Sequence, residues 1–524
     1  MLSKFSSKLL QGLALVSGIS TLLACTTLGP DYNEPDVTWL KDWQPSAYGA
    51  RADQPSAKQE DLRFWWQLFN DPVLNQLIAE ARQENLQLRI AGLRVIESMA
   101  LLGIAGSNMY PQVQQLGGAV NYVNKQYHGG DAPASDESFG NYNTGFNLGW
   151  ELDFWGRFQR GIESADAAFF ASVANQQDMQ VLISAQVADL YFAFRTTEAR
   201  IGIAHRNADI QKRSYEITET LYKNGEESEL DLQQAKTQYL ATLSGVPELE
   251  IALLKIRNSI TAVLGRAPGD LPEFDTPDYK LPLISSDSIE DIPANLLNRR
   301  PDIRAAAWQV AAQSAQIGIA EADYYPAISL LGSLGLSGTS ISGSSITGNL
   351  LLGPSLQWNI FDYGRIENNV RVQDVRLQLL IEAYQNSVLL AAREVDDAAY
   401  SIQKTAEQEV LIDQAVEASE RALEIANTRY REGYADFQRV LDAQRAMFIQ
   451  AERQLITRGI YISSVINLYK GLGGGWTETS VDQLIPEDVR NVMQDRSDWG
   501  DLLITPASES RTNPAPAQEH SQDE

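Results

Sequence analysis

Phe146-Asn147-Leu148-Gly149-Trp150-Glu151-Leu152-Asp153-Phe154 alternates apolar and polar residues, and Trp155-Gly156-Arg157 then opens a stretch with a different rhythm. The first run has the two-residue period of a β-strand. From Arg157 to Tyr222 there is no Pro, and Gly occurs only at Gly161 and Gly202. Ala, Leu, Gln, Glu and Arg fill that stretch, and these are good helix formers. The same change is written a second time. Leu352, Pro354, Leu356, Trp358 and Ile360 alternate before Gly364-Arg365, and Arg365 to Tyr430 holds neither Pro nor Gly.

The duplication extends along the chain. Gly103-Ile104-Ala105 before Tyr110-Pro111 recurs as Gly318-Ile319-Ala320 before Tyr325-Pro326, an offset of 215. Trp150 with Gly156-Arg157, Tyr222 with Gly225, and Leu264-Gly265 recur 208 residues on, as Trp358 with Gly364-Arg365, Tyr430 with Gly433, and Leu472-Gly473. The first copy is therefore seven residues longer between Pro111 and Trp150, and an insertion of that kind belongs in an exposed loop.

Each Pro-free stretch spans 66 residues, or about 100 Å of helix at 1.5 Å per residue. Tyr384, Val388, Ala391, Val395, Ala398 and Ile402 step by four and three, as do Gln176, Gln180, Ile183, Val187, Leu190 and Phe194 in the first copy. A sustained 3.5-residue seam predicts a left-handed coiled coil. The alternative, an ordinary amphipathic helix of period 3.6, would drift about 20° per heptad and leave the seam. Partner helices are expected at about 230–264 and 440–470, after tips at Gly225 and Gly433. Shorter helices at about 71–108 and 301–323 precede the Tyr-Pro pairs.

Leu116, Val120 and Tyr122 suggest the outgoing strand of the first copy, and Ile328, Leu330, Leu334 and Leu336 that of the second. Polar stretches join each pair, giving hairpins at about 112–154 and 327–361. Four strands of about ten residues match the span of a membrane barrel. Four cannot close one, and an open edge in lipid leaves backbone groups unpaired. Three copies would give twelve strands, and two would give eight. The alternative is a pair of surface hairpins on a helical protein. Trp150, Phe154, Trp155, Trp358 and Phe361 at the strand ends favour the membrane, where Trp sits at the lipid–water boundary.

The remaining composition excludes much. The chain has 524 residues, 42 Lys+Arg and 68 Asp+Glu, a net charge of −26. That balance argues against a nucleic-acid partner, which requires basic surface. One Cys and three scattered His (His128, His205, His520) offer no disulfide within the chain, no His-rich metal site and no triad. Gly471 to Gly475 lacks the Gly-Lys-Ser/Thr ending of a phosphate loop and reads as a helix stop. Carboxylate pairs such as Asp396-Asp397 read as solvated. No catalytic residue, cofactor site or metal site is assigned, and the chain is read as no enzyme. Residues 1–24 read as an export signal, with Lys4 and Lys8 before an apolar run. Leu22-Leu23-Ala24-Cys25 has the pattern of a lipobox, which makes Cys25 the candidate lipidation site, and Thr26 suggests outer-membrane sorting.

At this point the chain resembles the TolC-type outer membrane efflux factors, in the NodT-like lipoprotein branch serving resistance-nodulation-division pumps. The resemblance rests on Leu23-Ala24-Cys25 with Gly29-Pro30-Asp31-Tyr32, Trp65-Trp66 with Phe69-Asn70-Asp71-Pro72, Arg299-Arg300-Pro301-Asp302-Ile303, the paired Gly-Arg turns, and Asn467-Leu468-Tyr469-Lys470 with the glycines that follow. It covers about residues 25–476. It implies a mainly α fold with a membrane β portion. In that fold a homotrimer forms a twelve-stranded barrel, four strands per chain, continuous with a coiled-coil periplasmic tunnel and a mixed equatorial domain. The domain order follows: signal 1–24; lipidated and equatorial segment 25–70; first repeat 71–265; equatorial linker 266–300; second repeat 301–475; equatorial part 476–504; and a disordered tail 505–524.

The resemblance also places the working part at the helix tips, where the turn after Tyr-x-x-Gly closes the tunnel like an iris. Asp442 resembles an acidic position lining the closed mouth, where threefold symmetry makes a ring of three that attracts cations. The first copy has Gln234 there, with Glu229 and Asp231 nearby, and Asp231 stands at the repeat position of Arg439. The alternative for Asp442 is a solvated carboxylate paired with Arg445. Tyr430 and Arg431 are candidates for bonds between coils. The implied partners are a periplasmic adaptor protein, an inner-membrane resistance-nodulation-division transporter and outer-membrane lipid. The implied role is a passive exit duct for small molecules. The alternatives are the duct of a type I protein secretion system and a structural lipoprotein that does not conduct.

Overall fold

The computed structural model describes residues 26–41, 62–125, 137–269, 271–275, 279–284, 297, 299–339 and 346–503. The export signal, Cys25 and the tail 505–524 lie outside the described residues. The chain divides into two compact units, one made of Met1–Pro35, Ile96–Ser172 and Ala306–Tyr384, the other of Asp36–Val95, Val173–Ala305 and Gln385–Glu524.

Both copies build a helix, a β-hairpin and two long helices, and among the described residues the first copy carries one more helix ahead of these. The first holds α1 (Pro72–Glu84), α2 (Leu86–Ser107), β1 (Val113–Lys125), β2 (Glu137–Leu152), α3 (Arg157–Lys223) and α4 (Glu229–Val263). The second holds α5 (Pro301–Ala322), β3 (Ala327–Gly338), β4 (Ile346–Gln357), α6 (Arg365–Arg431) and α7 (Phe437–Gly471), and α8 (Glu487–Arg496) follows. α3 and α6 have 67 residues each, and α4 and α7 have 35 each. Among the described residues no helix is long and apolar enough to cross a membrane.

Two expectations change. The helix expected over 71–108 is two helices, because Asn85 leaves helical geometry at ψ 123°. Its Oδ1 accepts from the Gln87 and Leu88 N–H groups at 2.9 and 3.0 Å, starting α2, and its Nδ2 donates to the Val263 carbonyl at 2.7 Å. The second hairpin ends at Gln357 rather than near 361, because β4 has strand neighbours on one side only.

In the first unit the strands form one antiparallel sheet in the order β1-β2-β3-β4. Residues paired across an antiparallel ladder share a face. Leu116, Phe146, Leu334 and Leu350 make one row across all four strands, and Leu116 and Leu350 are 82% and 77% exposed. The next row, on the other face, is Gly117, Gly145, Gly335 and Asn349. One face is thus apolar and exposed, the other small and polar, as a barrel wall between lipid and water requires. The hairpins are pinned alike at their bases. The Trp150 indole donates to the Met109 carbonyl at 3.2 Å, and Trp358 donates to Tyr324 at 2.9 Å. Residues 26–35 belong to this unit. Arg160 donates to the Leu28 and Gly29 carbonyls at 2.8 and 3.0 Å and pairs with Asp31 at 2.8 Å.

In the second unit the seam read from the sequence is the buried stripe. Val388, Ala391, Val395, Ala398 and Ile402 of α6 are buried, as are Gln180, Ile183, Val187 and Phe194 of α3. Side segments seal the helices. Trp65 stacks on Tyr469 at 5.6 Å, Phe69 packs on Phe192 at 4.6 Å, and Phe274 packs on Phe194 at 4.4 Å. Asp71 caps α1 from the Val73 and Leu74 N–H groups and also accepts the Tyr191 and Tyr279 hydroxyls, each at 2.7 Å. The Arg-Arg-Pro-Asp motif has a clear task here. Pro301 opens α5, while the buried Arg300 guanidinium reaches the Gly471 carbonyl at the end of α7 (2.7 Å), Glu394 (3.0 Å) and Asp302 (2.8 Å). A cation there meets the negative end of the helix dipole. The glycine run does end α7, with Gly473 at φ +68°.

Candidate functional site

Both long helices end in the same turn. Gly225 and Gly433 stand at φ +79° and +77°, the left-handed region that glycine enters without cost. In each, two backbone bonds close the reversal: Gly225 to Tyr222 and Glu226 to Leu221, then Gly433 to Tyr430 and Tyr434 to Arg429, at 2.8–3.0 Å. This is the Schellman pattern, which satisfies helix-end carbonyls. Ser228 caps α4, accepting from the Asp231 N–H at 3.2 Å while its hydroxyl bonds the Asp231 carboxylate. Asp436 holds the equivalent place before α7, with Arg439 3.6 Å away.

The two tips of the chain meet through Tyr430. Its hydroxyl donates to Glu227 Oε1 at 3.0 Å, and its ring packs on Phe437 at 5.3 Å. Ala235, Phe437, Val440 and Leu441 form the buried cluster beneath, with Tyr215 and Ala426 against it. Burial first, and the Glu227 bond second, push the Tyr430 phenol above its ordinary range, so it holds its proton. Sequence reasoning singled out Tyr430 and missed Glu227. An exposed turn has no periodicity to flag an acceptor.

The other candidates sit apart. Asp442 accepts from Gln438 Nε2 at 3.1 Å and lies 3.6 Å from Arg445, both more than half exposed. Arg431 donates to Asn427 of its own helix at 3.3 Å. Glu229 is exposed in the first turn of α4, at the favourable end of its dipole. Behind them lies an open cavity of about 560 Å³ among α3, α4 and α7, lined by Gln211, Gln234, Gln238, Gln438 and Arg445. The carbonyl oxygens of Gln211, Gln234 and Gln238 are buried there without a protein partner. Gln211 lies on the seam read from the sequence, and its polarity is the signal that could have found this cavity.

The fold of this chain has counterparts among known proteins. The family model described as outer membrane efflux protein matches residues 77–266 and 292–474. The chain belongs to the outer membrane efflux protein family. Among its relatives, the toluene efflux pump outer membrane protein TtgF of Pseudomonas putida is 29% identical over 478 residues, covering 90% of this chain and 98% of TtgF. The probable outer membrane lipoprotein SilC of Salmonella typhimurium is 28% identical over 475 residues, covering 88% of this chain and 98% of SilC. Of solved structures, the outer-membrane channel OprN superposes with a TM-score of 0.77 at 33% identity, covering 86% of this chain and 99% of OprN. CusC superposes at 0.72 with 27% identity, covering 86% and 100%. This efflux protein is therefore a component of the outer membrane.

Proposed function

We propose that three copies of this efflux protein assemble into a passive exit duct for small molecules, the outer membrane part of a tripartite pump. The observation that carries this is the sheet. It has an apolar exposed face, a polar face and two open edges, and it is joined to helices of 67 residues. Open edges do not persist in lipid, so the wall must be completed by further copies. Twelve strands then enclose a lumen, and the segments 62–70, 271–275, 279–284 and 476–503 form the belt on the helical part. Acyl chains on Cys25 anchor the N-terminus, consistent with the lipoprotein name of SilC.

In this reading the tips are the gate. Tyr430 to Glu227 holds the two hairpins of each copy together, and three copies of Asp442 give the mouth its negative charge. A periplasmic adaptor that binds the splayed tips better than the closed ones shifts the population by its differential affinity. An inner-membrane resistance-nodulation-division transporter supplies the energy, and this chain performs no reaction. Removing the gene and restoring it on a plasmid tests the reading. The deletion strain becomes hypersensitive to toxic small molecules such as solvents, dyes or metal ions, and the plasmid reverses it. Unchanged sensitivity together with loss of a secreted protein would replace the reading with protein secretion.

A further inference from the structure

The sheet contains one finished joint between repeat copies, and it is a template for one that is unfinished. β1 pairs with β2 only as far as Val113 opposite Gly149, yet β2 continues to Leu152 because β3 pairs with it there, Leu152 opposite Ile328. β4 stops at Gln357, the counterpart of Gly149, and the counterparts of Trp150 to Leu152, residues 358–360, lie outside any strand. Beyond the finished joint the Trp155 ring stacks on Tyr325 at 4.6 Å and its Nε1 donates to the Pro326 carbonyl at 2.9 Å. The counterpart of Trp155 is Tyr363, which is fully exposed, and the counterpart of Tyr325 is Tyr110, 70% exposed. The helices repeat the contrast. The first turns of α3 lie against α5, with Ser164 Oγ donating to the Ala312 carbonyl at 2.9 Å, and there Ala167 and Ala171 are buried. Their counterparts on α6, Val375 and Leu379, are exposed.

We propose that Tyr363 seats on the partner's Tyr110, and that β4 pairs with the partner's β1 in the register that β2 and β3 already use. This rests on the trimer reading above and adds its residue-level geometry. The register follows from the hairpins. Val113 faces Gly149 and Ala327 faces Gln357, so the second copy stands 214 residues on in the outgoing strand and 208 in the returning one. The sequence offset of 215 drops by one at Gln112, an extra residue between Pro111 and β1. Shifting the Leu152–Ile328 pair by these offsets sets Ile360 opposite the partner's Gln114, Leu356 opposite the partner's Gly118 and Leu352 opposite the partner's Tyr122. Apolar positions then stay on one face. The joint between copies differs from the internal one in having Tyr363 for Trp155, while Arg365 keeps the residue type of Arg157. Asp323, 3.4 Å from Arg157, has Asn108 as its counterpart. The joints between copies are thus the weaker ones.

Paired cysteines in the full-length protein test this, with each single variant as control for Cys25 and the mass in detergent measured separately. Directly opposed strand residues fall within disulfide reach. Leu356→Cys with Gly118→Cys should yield covalent trimers on oxidation, and Leu356→Cys with Ala119→Cys, slipped by one residue to the other face, should not. Tyr363→Ala should lower the temperature at which trimers separate in SDS by several degrees or more, and Tyr363→Trp should keep or raise it. Trimers by mass that cross-link only in the slipped pair, or that ignore Tyr363→Ala, overturn this joint and leave the trimer standing. Monomers at every dilution overturn both.

Discussion

Tyr430 and Glu227 are joined by a 3.0 Å hydrogen bond that spans the two hairpin tips of one chain. The relation is one-sided. Tyr222, the counterpart of Tyr430, would need an acceptor at the counterpart of Glu227, and that residue is Ala435. The two copies therefore do not contribute equally to the tip, and the bond between the tips sits on Tyr430.

Tyr430→Phe should open the tip more often. One hydrogen bond contributes about 1 kcal/mol net, a factor of roughly 5 in an equilibrium. Single-channel recording should show open probability rising several-fold, and Glu227→Gln should move it in the same direction. Equal open probability in wild type and Tyr430→Phe would remove this bond from the gate.

The same bond has a pH signature. The raised Tyr430 phenol favours the protonated form in the folded protein, so its contribution is present below the unfolded phenol value, about 10, and fades as pH rises through the folded value. Between pH 7 and 9 the Tyr430 contribution should be flat. A wild-type channel whose opening changes over that interval, in a way that Tyr430→Phe abolishes, would contradict this.

Asp442→Ala should weaken cation selectivity and raise conductance if three copies line the mouth. As an exposed ion pair with Arg445 alone, the carboxylate contributes about 0–1 kcal/mol and its removal changes no current. Reversal potentials in asymmetric salt separate the two.

Asp178 carries a stability prediction. Burial, then the Asp302 carboxylate, push its carboxyl up to about 6, against the pull of Arg300. A carboxyl raised above its unfolded value of about 3.9 contributes stability that is full below that value and lost as pH rises through about 6. Asp178→Asn should be more stable than wild type at pH 7.5, by on the order of 2 kcal/mol, and should lose less stability between pH 5 and 7. Melting curves at pH 5, 6 and 7.5 check it, and parallel pH profiles for the two proteins would refute it.

Arg300→Ala should destabilise the second unit strongly. It removes the cap on the Gly471 carbonyl and strands Glu394 and Asp302. Breaking a buried pair costs about 3–5 kcal/mol, and the half-exposed partners reduce that to roughly 2–3 here. Arg300→Lys should recover only part, because an ammonium lacks the fork that reaches three acceptors. Full thermal stability in Arg300→Ala would show that the motif acts otherwise.

Local rules made the elements legible. A Pro-free stretch, a seam stepping by four and three, and a Tyr-x-x-Gly stop fixed α3 and α6 to within a residue at either end. The repeat offset located the hairpins. Asn85 escaped notice because it splits a helix through a side-chain bond to Val263, a residue 178 positions away. The early end of β4 escaped for a similar reason, since strand length depends on a neighbour that one chain does not hold. At the tip, Tyr430 was visible as a repeated aromatic, whereas Glu227 was a choice of acceptor made by tertiary packing.

This chain makes a sealed, water-filled path only as an assembly in a membrane. Planar-bilayer recording of the purified full-length protein decides the matter. Discrete current steps are expected, rare in the wild type and frequent in Tyr430→Phe. Assembled, membrane-inserted protein that passes no current in either form would contradict it.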